Sequence, residues 1–139
     1  MPDLLSPDDQ AIGDGESLYR RIFPGLDNLV PNSGGDGYRP SSGSLKSDLP
    51  LSVDRSSLCT PEETRDRDIS KPFHVAQISV GVVRAAGCRV VADPEDGNPA
   101  HALIYGSGEN GSLSKSETKK IARQSQIVLV NNLTMGPLG

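Results

Sequence analysis

His101 stands in the run Pro99-Ala100-His101-Ala102-Leu103-Ile104-Tyr105, just after the acidic turn Asp93-Pro94-Glu95-Asp96-Gly97-Asn98. A neutral imidazole is a general base near neutral pH, and a carboxylate on its other nitrogen fixes its tautomer. Asp54, Asp93, Asp96 and Glu109 are candidate orienting acids, and spacing alone does not choose among them. Ser52 and Asp54 lie two apart in an extended run, so both side chains fall on one face. With His101 they comprise a hydroxyl nucleophile, an acid and a base, the set used in acyl and related transfers. No Gly-x-Ser-x-Gly turn surrounds Ser52 to expose its hydroxyl. His74 and His101 fall short of the three or four ligands that a metal site needs, so neither a metal nor another cofactor is expected.

A second set of residues suits anions. Arg20 and Arg21 follow Tyr19, and a guanidinium there can grip a phosphate or carboxylate in bidentate fashion. Arg39-Pro40-Ser41-Ser42-Gly43-Ser44 supplies another arginine, with Ser41 and Ser42 in a Gly-rich turn whose amides can cradle an anion. Arg20, Arg39, Ser41 and Ser42 are therefore the candidate ligand-binding residues. Lys119, Lys120 and Arg123 form a small basic cluster on one expected helix, read as a solvated face. Cys59 and Cys88 match neither a disulfide framework nor a zinc spacing and are read as free thiols.

The elements that must hold these residues follow from local chemistry. Ser17 to Phe23 reads as a strand ended by Pro24-Gly25. Residues 24–48, with three prolines and five glycines, read as a long loop ordered by a partner or left mobile. Leu49 to Val53 is a short strand. Thr60-Pro61-Glu62-Glu63 combines an N-cap, a proline at the first helical position and a capping-box glutamate, which predicts a helix to about Arg67. Phe73 to Ile78 reads as a strand, and residues 79–86 as a helix stopped by Gly87, with a continuation of the strand as the alternative because β-branched residues resist helix. Arg89 to Ala92 and Ala100 to Tyr105 form a hairpin across the acidic turn. Alternation there puts His101, Leu103 and Tyr105 on one face, with Ala100, Ala102 and Ile104 on the other. Ser114-Lys115-Ser116-Glu117 is a second capping box, before a helix expected over 118–125 and a strand over 126–130.

Strands and helices mix without βαβ alternation, which predicts an α+β fold with a small, mostly antiparallel sheet, two or three short helices and long Gly/Pro/Ser-rich loops. The expected organisation is a flexible acidic arm over 1–15, one domain over 16–130 and a tail over 131–139. Of the 139 residues 35% are hydrophobic and 4% aromatic, a thin core for a chain of this size. The net charge of −4 argues against general nucleic-acid binding or an anionic membrane surface. No apolar run spans a bilayer, and the acidic start lacks the features of a signal peptide, so a cytoplasmic setting is expected. The first expectation for function is a small interaction module, an accessory or regulatory subunit with a protein partner or a second copy of itself. The alternative is a small enzyme acting on a nucleotide-like or phosphorylated substrate with His101 as general base.

Overall fold

The computed structural model describes residues 6–131. A six-stranded sheet dominates it, in the order β6-β7-β4-β1-β5-β8, with every registered pairing antiparallel. The strands are β1 (Ser17–Ile22), β4 (Leu51–Arg55), β5 (His74–Ser79), β6 (Arg89–Ala92), β7 (His101–Tyr105) and β8 (Gln126–Leu129). β2 (Leu29–Pro31) and β3 (Tyr38–Pro40) pair as a separate two-stranded ribbon. Three helices complete the fold: α1 (Pro61–Asp66), α2 (Val80–Ala85) and α3 (Lys115–Arg123). The architecture is α+β. No helix among the described residues is long and apolar enough to cross a membrane.

Local chemistry sets the helix ends. Thr60 accepts the Glu63 amide while the Glu63 carboxylate accepts the Thr60 amide, and Ser114 and Glu117 repeat the arrangement. α3 accordingly begins at Lys115, directly after its cap, rather than at 118. Gly87, at φ 91°, ends the α2 turn in the left-handed region where other residues are strained. Gly106 is required for a different reason. A Cβ there would lie 2.5 Å from the Leu113 Cα and 2.7 Å from a Glu117 carboxylate oxygen, so only hydrogen fits.

The two faces of the sheet carry different loads. Leu18, Ile22, Leu51, Val53, Ala76, Ile78, Ala102 and Ile104 point to the main core, which Val80 and Val83 of α2 and Ile121 and Ala122 of α3 cover. Leu103 and Tyr105 point the other way and form a small cluster with Val91, as the alternation of β7 requires. α1 packs on this second face, where Thr64 and Phe73 are buried.

Two segments are more ordered than their composition suggests. The expected long loop over 24–48 contains the β2–β3 ribbon, and its Gly34-Gly35-Asp36-Gly37 is the ribbon's turn, tied by Asn32 to the Asp36 carbonyl. Leu45, in the one-turn 3-10 helix Ser42–Leu45, is fully buried in the main core. Residues 6–15 of the expected arm lie against the sheet. Ile12 is wholly buried, Asp9 donates its amide to the Val90 carbonyl, and Asp8 and Asp14 both meet Arg84. A single buried isoleucine and two arginine-paired acids explain this attachment, which overall polarity conceals. Residues 1–5, and the expected tail after Asn131, lie outside the described residues.

His74 is completely buried on β5, and its Nδ1 accepts the Asn131 amide at 3.0 Å. Nε2 therefore carries the proton, and it has no hydrogen-bond partner among the described residues. Burial lowers the pKa of this imidazole. The unfolded chain then takes up a proton below about pH 6.5 that the folded protein refuses, so stability falls as pH falls through that range. The urea midpoint is expected to drop between pH 7.5 and pH 5.5, and His74→Leu is expected to flatten that drop. An unchanged pH dependence in His74→Leu would assign the acid sensitivity to other groups.

Candidate functional site

The second face of the sheet opens into a cleft of about 750 Å³ above β1, β4 and β7. Its sides are α1 and the turn over 93–98. β7 pairs with β4 in a register that sets Asp54 opposite His101 and Ser52 opposite Leu103. On its other side β7 pairs with β6 through Ala92 and Ala102, and the Asp93 amide continues that ladder to the His101 carbonyl at 2.9 Å. His101 therefore stands between Asp93 and Asp54 on one face, within ordinary cross-strand reach of both.

Asp93 is the acid that meets the imidazole. His101 Nδ1 lies 3.0 Å from Asp93 Oδ2 and 3.1 Å from the Asp93 carbonyl oxygen. Both neighbours are acceptors, so Nδ1 carries the proton and Nε2 keeps the basic lone pair. The His101 and Asp93 side chains are only 13% and 12% exposed, which strengthens the bond between them.

Asp54 does other work. Its Oδ2 accepts from the Thr64 hydroxyl at 2.8 Å and from Arg67 Nε at 2.7 Å, and its Oδ1 accepts from Asn98 Nδ2 at 2.9 Å. Burial pushes this carboxyl up, but the hydrogen bonds from Asn98, Arg67 and Thr64, with the Arg67 charge, outweigh it and hold the group below its usual range. Asp54 thus stays ionised and fully engaged, clamping α1 and the acidic turn to β4. Ser52 shares its face but sits one pair along from His101.

Arg20 reaches the cleft from the core-facing side of β1. Its Nη1 donates to the Ser52 carbonyl at 2.9 Å, two residues beyond the last registered β1–β4 pair. Its Nε is buried without a partner among the described residues. Burial, with Arg21 beside it, lowers the guanidinium to about 10, so it remains charged at neutral pH. Arg21 donates to the Thr64 carbonyl at 3.2 Å and lies over the Phe73 ring, 5.6 Å from its centroid.

Three donors that sequence spacing did not connect come together here. Asp93, Glu95 and His101 offer ligand atoms all within 4.8 Å of one another, with His101 Nδ1 to Glu95 Oε1 at 3.6 Å. Such a set suits a divalent cation with an open coordination position, at the cost of displacing the Nδ1 proton. His74, the other imidazole considered from the sequence, lies in the core and lines no part of the cleft.

The four expected ligand residues divide between two places. Arg20 joins His101, whereas Arg39, Ser41 and Ser42 line a separate cleft with Lys119 and Arg123. The cysteines line neither cleft: Cys88 is core, its thiol pushed up to about 12 by burial and by Glu117, and Cys59 touches the Arg55 carbonyl and Thr64. Thr64, Arg67, Asn98 and Glu95 were not singled out from the sequence. Only the hairpin register, which places Asp93 across from His101, marks this turn as part of a site. No protein-family model matches the chain, and no curated protein or solved structure matches it.

Replacing Asp54 by alanine leaves Arg67 and Asn98 unpaired in a buried site. The expected loss is about 3 kcal/mol of unfolding free energy, as for other broken buried pairs, measured by urea denaturation at pH 7. A loss of under about 1 kcal/mol, the scale of an exposed pair, would show that this cluster does not hold the cleft together.

Proposed function

We propose that the protein is a small enzyme acting on a phosphorylated or nucleotide-like small molecule, with His101 as general base in the cleft above β1, β4 and β7. The observation that carries this reading is the pairing of His101 with Asp93 inside a cleft that also contains the half-buried Arg20 guanidinium, whose Nε has no partner among the described residues. Asp93 holds the Nδ1–H tautomer, and Nε2 takes a proton from an attacking water or substrate hydroxyl. The imidazolium that forms is stabilised by the Asp93 carboxylate and returns its proton to the leaving oxygen. Arg20 supplies a fixed positive charge for the anionic group, with little rearrangement because Nη1 is already anchored. The cleft volume is within the range typical of small-molecule sites. Asp54 is a positioning residue, since all its contacts are to Thr64, Arg67 and Asn98.

A partner-binding role is the second reading, an accessory or regulatory subunit or a homo-oligomer. It is favoured by large apolar side chains left in solvent: Ile69 is 88% exposed, and Phe23, Leu26 and Leu58 are each about half exposed.

A panel of phosphomonoesters, phosphodiesters and nucleotides decides between them. The enzyme reading expects turnover that His101→Ala lowers by about 10²- to 10⁴-fold, with Arg20→Met acting mainly on KM. Turnover retained in His101→Ala, or absent across the panel, would sink it. The partner reading expects sedimentation at the mass of an assembly that Ile69→Lys dissociates, and a monodisperse monomer at high concentration counts against a homo-oligomer.

A further inference from the structure

Two features that the sequence presents far apart meet on the side of the sheet that carries α3. Arg39, Ser41 and Ser42, from β3 and the turn after it, line a cleft of about 250 Å³ together with Lys119 and Arg123 of α3. These five polar residues approach from two sides, and the packing that brings them together is firm. Leu45 and Ala122, which flank the cleft in sequence, are buried in the same core cluster. The backbone segments that bear these residues are therefore fixed by the core.

The charge of the cleft is one-sided. Among the described residues three cations line it and no carboxylate does, in a chain of 14 basic and 18 acidic residues. Lys119 and Arg123 are four apart on one helix, a like-charge spacing that disfavours the helix. None of Arg39, Lys119 and Arg123 forms an ion pair among the described residues, although Arg55, Arg67 and Arg84 each do. Ser41 Oγ accepts the Ser44 amide, which leaves its own O–H free to donate, and the Ser42 hydroxyl is unengaged among the described residues. The cleft thus presents donors and positive charge with no internal acceptor for them. Donors of this kind suit an oxyanion: a guanidinium can bind two of its oxygens, a lysine adds a point charge, and a hydroxyl can donate to it.

We infer that this cleft binds the phosphate or diphosphate group of a small soluble molecule, at a site separate from the His101 cleft. No residue lines both clefts. The inference does not rest on the proposed catalytic role of His101.

The test uses the full chain and inorganic pyrophosphate at constant ionic strength, followed by calorimetry and by amide shifts in residues 39–44 and 115–123. Saturable binding is expected, weakened about tenfold for each arginine replaced, as the loss of one charge-assisted hydrogen-bonding group predicts. Arg39→Gln, Arg123→Gln and the charge reversal Lys119→Glu report on the site. His101→Ala is expected to bind pyrophosphate at these residues as the unaltered chain does. The three substitutions are at surface positions, and circular dichroism confirms that each variant is folded. Equal binding by Arg39→Gln/Arg123→Gln, equal effects of sodium chloride and pyrophosphate, or shifts confined to the His101 cleft would each overturn the inference. Vesicles containing phosphatidic acid separate the two sources of the same group: capture by vesicles without binding of free pyrophosphate would overturn the soluble-ligand assignment.

Discussion

A buried carboxylate at the middle of the sheet organises everything above it. Asp54 receives hydrogen bonds from Thr64 and Arg67 of the α1 region and from Asn98 of the acidic turn, so two segments far apart in the chain share one anchor. An ionised group in a poorly hydrated place is stable only while its lone pairs are filled. That requirement fixes the distance between α1 and the turn, and therefore the width of the cleft between them. Asp93 itself is placed by the β6–β7 ladder, which its amide continues to the His101 carbonyl. Asp54 holds the walls on either side of that dyad.

Much of this frame is written in short-range chemistry. The two capping boxes, Gly87 and the alternation of β7 each rest on interactions within a few residues, and each has the structural outcome that its chemistry requires. What eluded the sequence depends on contacts across the chain. Four acids were equally eligible partners for His101 until strand pairing placed Asp93 opposite it. Asp54 shares the face of His101, as its spacing implies, yet its oxygens are taken up by Thr64, Arg67 and Asn98, none of which has a sequence signature. The Gly-rich stretch over 24–48 contains a ribbon because Leu29 and Leu45 find burial against distant elements, which local composition does not encode. Ile12 holds the N-terminal segment down in the same way.

The sheet also sorts charge. In the His101 cleft an arginine lies near acids and an imidazole, its charge opposed by burial and anchored by a backbone carbonyl. In the other cleft, the basic groups of β3 and α3 stand without acids. A net charge of −4 describes neither environment. Arg20 shows how the two sides communicate in packing: it departs from the core side of β1 and ends at a carbonyl of β4, so a change in the core beneath Ile22 or Leu51 acts on a residue of the cleft.

An open sheet has two edges, and an uncovered edge recruits other strands. At β6 the Val90 amide is taken by Asp8 and its carbonyl by Asp9, while Arg89 reaches the Ser6 carbonyl. The bond between Asp8 and Val90 spans 82 positions. During synthesis the guard emerges first and waits for an edge that is made more than half a chain later. Closing so long a loop carries a large entropic cost. The covering of this edge is therefore among the least local contacts in the fold, and it cannot form until β6 has been made.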